Sequence, residues 1–106
     1  MDHEGRDAMR VLSDVLFGQR YRLELMVAIA SSDDGLVCLT DLAATLEVTL
    51  SNLQRPLSSL TRAGLLSKLP SVDSKRRFYR RNESLGWAFA VEIADSAQRL
   101  SWMTHD

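Results

Sequence analysis

The sequence lacks the features that mark secreted, disulfide-bonded and membrane-spanning proteins. Its 106 residues include a single cysteine, Cys38, so no disulfide can form within the chain, and we expect an intracellular, cytoplasmic protein. No apolar run approaches the roughly 18 residues that a membrane-spanning helix requires. The first ten residues, MDHEGRDAMR, do not have the basic and apolar regions of a secretory signal. The length predicts one domain over 1–106, with 1–7 and 103–106 as disordered tails.

Acidic residues are almost absent from one third of the chain. Residues 49–81 contain eight arginines and lysines but one acid, Asp73, which gives this segment a net charge of +7. The rest of the chain carries five basic and thirteen acidic side chains, a net charge of −8, so the total of −1 conceals the partition. A basic block favours a polyanionic partner, although a solvated basic surface would have the same composition. The elements of the fold on which the basic residues lie must therefore decide between a polyanion-binding surface and a solvated one.

Apolar residues recur at helical spacing in five segments. This periodicity predicts helices over 8–17, 19–30, 40–46, 49–63 and 83–102. Apolar residues on several sides of the second helix predict that it is buried on more than one face. Thr40 and Asn82 are expected to cap the third and fifth helices, and Gly64 to end the fourth in a left-handed conformation.

The segment between the fourth and fifth helices predicts a β-hairpin. LLSKL and RRFYRR flank the turn-forming PSVDSK, and LVCL at 36–39 is an apolar link with the length of one strand. The third and fourth helices form a helix-turn-helix, and the hairpin is its wing. The predicted fold is mainly α (α+β), a winged helix-turn-helix with five helices and a two-stranded wing. Because the basic block coincides with the reading helix and the wing, DNA binding is favoured over a solvated surface.

Three stretches resemble the ArsR-type winged-helix repressors. They are TDLAATLEVTLSNLQRPLSSLTRAGLL (40–66), FGQRYRLELM (17–26) and RRFYRRNESL (76–85), within a resemblance that covers about 8–100. The resemblance implies a homodimeric transcriptional regulator, usually a repressor, that binds a palindromic operator in double-stranded DNA. It also implies that the first and last helices pair the two subunits.

The candidate DNA-contacting residues lie on the fourth helix and the wing. Gln54 and Arg55 are suited to bidentate contacts with adenine and guanine. One of Arg80 and Arg81 is expected to face DNA and the other to pair with an acid of the body, and a one-residue shift in register exchanges them. The full set is Ser51, Asn52, Gln54, Arg55, Pro56, Ser58, Lys75, Arg76, Arg77, Tyr79 and Arg80.

Pro56 stands in the middle of the fourth helix, where proline costs about 3 kcal/mol. If the helix starts at Ser51, with Gln54 completing a capping box, Pro56 falls just past the first turn. On the reading face, its ring would replace a base-reading side chain. We therefore expect that substitution of Pro56 changes the preferred DNA sequence more than it changes the fold.

The apolar residues of the first and last helices exceed what one small core can cover, which predicts a subunit interface. The first helix is expected to turn Met9, Leu12, Val15 and Leu16 to one side. The predicted interface residues are Met9, Leu12, Leu16, Leu85, Trp87, Phe89, Ile93 and Leu100. Trp87 and Trp102 are better explained by packing than by a ligand pocket.

The pattern of metal-binding residues is incomplete. Many ArsR-type repressors sense metals through a Cys-x-Cys at the start of the third helix, but here Cys38 is followed by Thr40 in place of the second thiol. The two histidines, His3 and His105, lie near the ends of the chain. We therefore expect no metal site and no cofactor, and no pattern indicates a small-molecule effector. No nucleophile–base pair or phosphate loop indicates an enzyme.

Two alternatives remain open. A winged helix can dock on an acidic protein, and an altered reading surface at Pro56 would favour this use. A thiol- or ligand-responsive sensor built on Cys38 is the other, although a cysteine within LVCL is typical of a small buried apolar residue. Glu47 occupies a turn position where glycine is common in the family, and a left-handed conformation there would carry about 1–2 kcal/mol of strain.

Overall fold

The part of the chain that the structure describes contains five helices and three strands. The computed structural model describes residues 3–70 and 76–100, except for the side chains of residues 3, 4, 98 and 100. The elements are, in order, α1 (His3–Phe17), α2 (Arg22–Ala30), β1 (Leu36–Cys38), α3 (Leu39–Leu46), α4 (Leu50–Arg62), β2 (Leu66–Lys68), β3 (Phe78–Arg81) and α5 (Leu85–Leu100). The five helices confirm the predicted, mainly helical, winged helix-turn-helix.

The helix α2 lies at the centre of the hydrophobic core. It packs against each of the other four helices. Leu23, Leu25 and Ile29 are completely buried although they point in different directions around the helix. Because α2 is covered on several sides, its sequence is apolar nearly throughout. The prediction that the second helix is buried on more than one face is confirmed.

The sheet has β3 as its central strand, in the order β1–β3–β2 with antiparallel pairing on both sides. Tyr79 of β3 lies opposite Val37 of β1 and opposite Lys68 of β2. The apolar link at 36–38 therefore joins the wing as a third strand. The two-stranded hairpin predicted from the sequence misses this strand, because β1 is separated from its partner by about forty residues of chain.

Several predicted helix ends are wrong. The helix α1 begins at His3, so residues 3–7 are helical rather than a disordered tail, while 103–106 lie outside the described residues. Cys38 precedes α3, and Thr40 stands within its first turn rather than at its cap. The hydroxyl of Ser84, not the side chain of Asn82, caps α5 by accepting a 3.0 Å hydrogen bond from the Gly86 amide. The predicted capping box at the start of α4 is also absent, because α4 begins at Leu50 and its N-cap, Thr49, makes no capping bond.

Left-handed residues end three of the described helices, as predicted for α4, and Gly18 follows α1 with φ of 67°. Gly64 follows α4 with φ of 84°, and Glu47 follows α3 with φ of 58°. Only glycine adopts this conformation without steric cost, so Glu47 carries about 1–2 kcal/mol of strain in the turn between the two helices. The turn keeps this geometry because the amide of Val48 donates to the carbonyl of Ala43 over 3.0 Å.

Asn82 ties the end of the wing to the end of α4. Its amide nitrogen donates to the carbonyl of Gly64 and its backbone N–H donates to that of Leu65, both over 3.0 Å. The indole of Trp87 in turn donates to the carbonyl of Asn82 over 2.7 Å. Asn82 is thus a wing anchor rather than the helix cap that the sequence suggested.

Arg81 fixes β3 to the C-terminus of α2. Its Nη1 donates to the carbonyl oxygens of Ile29 (2.8 Å), Ala30 (3.0 Å) and Ser32 (2.9 Å). Carbonyls at the end of a helix have no intrahelical donor and carry partial negative charge, so a guanidinium is favoured there. We expected one of Arg80 and Arg81 to pair with an acid of the body; the partner is instead this set of carbonyls.

The loop before β1 is ordered by Asp34. Its carboxylate accepts hydrogen bonds from the amide of Leu36 (3.0 Å) and the hydroxyl of Ser32 (3.1 Å). These bonds favour the ionised form and hold the pKa of Asp34 below its ordinary value.

We expect Arg81→Met to lower the free energy of unfolding by about 2 kcal/mol, because charge-assisted bonds to three carbonyls are lost. Arg80→Met is the matched control, since Arg80 is exposed and adjacent, and its loss should change stability by less than about 0.5 kcal/mol. Urea unfolding followed by tryptophan fluorescence measures both. Equal effects of the two variants would show that the Arg81 bonds do not stabilise the fold.

Candidate nucleic-acid interface

The helix α4 is amphipathic, with a polar stripe along its exposed side. Leu53, Leu57 and Leu60 repeat at helical spacing and are buried against the body. The predicted outward residues are all exposed: Ser51, Asn52, Gln54, Arg55 and Ser58. Arg62 continues the stripe in the last turn, where it is also exposed. The exposed position of these side chains was predicted correctly; their contacts with DNA stay a prediction.

Pro56 does not belong to the polar stripe. It is among the most completely buried residues of the protein and lies on the same side of α4 as Leu53 and Leu57. The prediction that its ring faces DNA is therefore wrong. The spacing from Leu53 to Pro56 and on to Leu60 fits the buried face, so the ring fills a core position while forfeiting one backbone hydrogen bond.

The helix α4 is tied to the α1–α2 junction by a polar contact. Arg22 Nη2 donates to the hydroxyl of Ser59 over 3.1 Å, and its Nη1 donates to the carbonyl of Phe17 over 3.3 Å. Arg22 Nε is buried and has no partner among the described residues. The exposed stripe of α4 is thus presented from a helix held by both apolar and polar contacts.

The predicted wing residues separate into three groups. Arg76 and Arg77 are exposed at the start of the returning strand, whereas Lys75 lies outside the described residues. Tyr79 is only 8% exposed and packs in the core, and its contact with DNA stays a prediction. Side chains alternate along a strand, so Arg80 points to the face opposite Tyr79 and is not brought to the surface of α4.

A cleft of about 350 Å³ lies between α4 and the sheet. Its lining consists of Leu39, Gln54, Leu57, Ser58, Thr61, Arg62, Lys68, Arg77 and Tyr79. Among these, Arg62 and Lys68 were not predicted as site residues, although both lie within the basic block. The basic block in the sequence predicts which region of the protein is positively charged. It does not predict which basic side chains lie on the same face of the sheet, because that depends on the pairing register of the strands.

Exposed apolar residues form a second candidate surface on α1 and α5, which pack against each other. Of the predicted interface residues, Leu16, Leu85 and Phe89 are exposed. Leu12 and Ile93 are half-buried against the core, and the side chain of Leu100 lies outside the described residues.

The prediction that Met9 and Trp87 lie in a subunit interface is wrong, since both are buried within the single chain, at 1% and 7% exposure. Conversely, Val15 is 73% exposed, as Val11 is at 60%, so the prediction that Val15 shares one side of α1 with the buried Met9 is wrong. Val91 on α5 is also exposed. The apolar pattern of a helix alone therefore does not decide which of its residues meet the core and which meet the solvent.

Cys38 is buried, and the described residues contain no group of three or more metal-binding side chains. Over the same ranges, no helix combines the length and apolar character that crossing a membrane demands.

Comparison with known proteins supports the resemblance seen in the sequence. No protein-family model matches the chain. Over 80 residues, or 74% of its length, the chain is 39% identical to the putative arsenical resistance operon repressor ArsR2 of Halobacterium salinarum. The match covers 65% of that protein, slightly less than two thirds of its length.

Two solved structures share the fold. AbsC, a MarR family transcriptional regulator from Streptomyces coelicolor, superposes with a TM-score of 0.66 at 17% identity, covering 92% of this chain and 68% of that one. Sco3205, a MarR family regulator from the same organism solved in complex with DNA, gives a TM-score of 0.56 at 18% identity, covering 95% and 75%. These likenesses establish the winged-helix fold, and the similarity to ArsR2 confirms the resemblance to ArsR-type regulators. The names of these proteins describe a repressor and two transcriptional regulators.

The burial of Pro56 predicts a contrast between neighbouring residues of α4. We expect Pro56→Asp to be less stable than Pro56→Ala by at least about 3 kcal/mol, because both restore the backbone N–H but only aspartate buries a charge. Arg55→Asp and Arg55→Ala, on the exposed side, should differ by less than about 0.5 kcal/mol. Urea unfolding of the four variants gives both differences. Similar small differences at the two positions would place Pro56 at the surface.

Proposed function

We propose that this winged-helix protein, related to the ArsR-type repressors, is a sequence-specific transcriptional regulator that binds double-stranded DNA. One observation carries the proposal: the exposed polar stripe of α4 and the cations of the wing lie on the two sides of one cleft. In a winged helix, α4 enters the major groove and the wing reaches the neighbouring phosphates or minor groove. The concentration of positive charge in 49–81 supplies the attraction to a polyanion.

In this proposal α4 reads the bases. Arg55 and Gln54 are exposed and carry the side-chain geometry for bidentate contacts with guanine and adenine. Asn52 and Ser51 extend the same surface towards the N-terminus of the helix. Arg76 and Arg77 provide phosphate contacts from the wing, and Lys75 is proposed to join them.

The proposed regulator is a homodimer that acts as a repressor on a palindromic operator. Val11, Val15 and Leu16 on α1 and Leu85 and Phe89 on α5 are exposed apolar residues of the kind that a second subunit covers. A two-fold axis between paired α1 and α5 helices would present two copies of α4 to successive turns of the major groove. Repression is proposed because ArsR2 is named as a repressor.

We propose that regulation does not depend on a metal ion. The support is the residue pattern: Thr40 stands where a second thiol would be needed, and Cys38 is buried at 3% exposure. The alternative of docking on an acidic protein depended on Pro56 altering the reading surface. Since Pro56 is buried, that observation no longer favours it.

Arg55→Ala should weaken binding to the selected operator by about 10- to 100-fold for each half-site, as expected for one bidentate base contact per subunit. Non-specific duplex should be bound with less than threefold change. Pro56→Ala is the matched control because it alters the same helix from its buried side, and it should leave the preferred sequence unchanged. Sites are selected from random duplexes, and affinities are measured by fluorescence anisotropy.

Unchanged operator affinity of Arg55→Ala would overturn the base contact. Failure of the wild-type protein to bind any duplex at low salt would overturn the function. A changed site preference of Pro56→Ala would contradict the placement of proline on the buried side.

The dimer predicts that Val11→Glu together with Val15→Glu gives a monomer, because four carboxylates would meet across the interface. Leu36→Glu is the control, since Leu36 is an exposed apolar residue of β1, away from α1 and α5. Sedimentation equilibrium measures the masses, and circular dichroism verifies the helix content. A wild-type protein that stays monomeric at tens of micromolar, or a double variant that stays dimeric, would rule out this interface.

A further inference from the structure

The cleft between α4 and the sheet concentrates unpaired positive charge. Arg62 lies on one wall and Lys68 and Arg77 on the other, and none of the residues that line the cleft is acidic. Within the described ranges, these three side chains have no hydrogen-bond acceptor and no ion-pair partner. Three like charges that converge without a counter-charge oppose folding, so the arrangement favours an anionic occupant.

Strand geometry places two of the cations together. Lys68 lies directly opposite Tyr79 in the β2–β3 pair, so their side chains share one side of the sheet. Arg77 is two residues before Tyr79 and takes the same side. The carbonyl of Arg77 accepts a 3.1 Å hydrogen bond from the amide of Leu39 at the start of α3. The backbone that carries Arg77 is therefore held in place without any ligand.

The floor of the cleft strengthens the attraction. Leu39, Leu57 and Tyr79 are buried apolar or aromatic residues that form its base. A cleft with walls of one charge and a floor of low polarity focuses the field towards its opening. Gln54, Ser58 and Thr61 add hydrogen-bonding groups along the α4 wall.

The shape of duplex DNA identifies the occupant. The major and minor grooves are separated by a ridge of sugar and phosphate, with a charge every 3.4 Å along each strand. A protein that inserts one element into each of two adjacent grooves must leave a concavity for the ridge between them. The cleft between α4 and the sheet is a concavity in the required place, between the element assigned to the major groove and the wing.

We propose that the cleft holds the phosphate ridge between the two grooves, with Arg62, Lys68 and Arg77 as its phosphate-binding residues. The proposal rests on the proposed DNA-binding function and adds Arg62 and Lys68 to it. These residues position the duplex and contribute affinity for every sequence, whereas Arg55 discriminates between sequences.

Salt dependence provides the first test. The triple variant Arg62→Gln, Lys68→Gln, Arg77→Gln should bind all duplexes more weakly. Its plot of log K against log salt should be less steep by about 2.7 for each subunit bound, or about 5.4 for the proposed dimer. Between 50 and 200 mM salt, the wild-type dimer should therefore lose roughly 2,000-fold more affinity than the variant dimer. The control is Arg99→Gln, which removes an exposed cation from α5 and should leave the slope unchanged.

Neutral phosphates provide the second test. Methylphosphonates are substituted one at a time along the selected operator. One or two positions between the groove contacts should weaken the wild-type complex by about 10- to 150-fold, as expected for a charged hydrogen bond. The same positions should have less than twofold effect on the triple variant, because the partner charges are gone. Positions outside the ridge should affect both proteins alike.

The two proposals fail in different ways. A wild-type protein that binds no duplex even at 50 mM salt overturns the DNA-binding function and the cleft assignment together. A wild-type protein that binds, with a triple variant of unchanged affinity and salt slope, overturns the cleft assignment alone. Equal methylphosphonate effects on the wild type and the triple variant also overturn it.

Discussion

The register of β3 determines where this protein carries its positive charge. Tyr79 and Arg81 point to the body, one into the core and the other onto the last carbonyls of α2. Because side chains alternate, Arg77 and Arg80 are assigned to opposite sides by the same register. A shift of one residue would bury Arg80, expose Tyr79 and remove Arg77 from its wall of the cleft. The hydrogen bonds of Arg81 thus have two effects. They satisfy the last carbonyls of α2, and they hold β3 in the register that places Arg77 in the cleft.

Most basic and most acidic residues, which occupy different parts of the sequence, also occupy different parts of the fold. The net charge of +7 lies in the segment that builds α4 and the wing, while the remaining residues carry −8. A nearly neutral total avoids strong self-repulsion, and the local excess still attracts a polyanion to one side. The same partition disfavours approach of a duplex to the other sides of the molecule, so the orientation of an encounter is biased before any base is read.

Sequence periodicity predicted the side of α4 that faces solvent because Leu53, Leu57 and Leu60 repeat without ambiguity. The prediction for Pro56 is wrong because a proline inside a helix is compatible with either side of it, and its spacing from Leu53 is the only signal in the sequence that indicates the buried side. The sequence pattern could not predict which of Arg80 and Arg81 contacts the body, because both are arginines and only the register of β3 distinguishes them. Met9 and Trp87 were assigned to a second subunit because an apolar residue does not reveal which surface covers it.

The two elements of the proposed interface are held to the body by separate anchors. Arg22 connects α4 to the α1–α2 junction through Ser59, and Asn82 connects the wing to the end of α4 through Gly64. Both are side-chain bonds across the tertiary structure, so the distance between α4 and the base of the wing is set before a ligand arrives. Binding to a rigid pair of elements avoids the entropy cost of ordering them. The buried ring of Pro56 contributes to the same rigidity, because it packs α4 against the core at the level of Arg55 while leaving the exposed stripe unchanged.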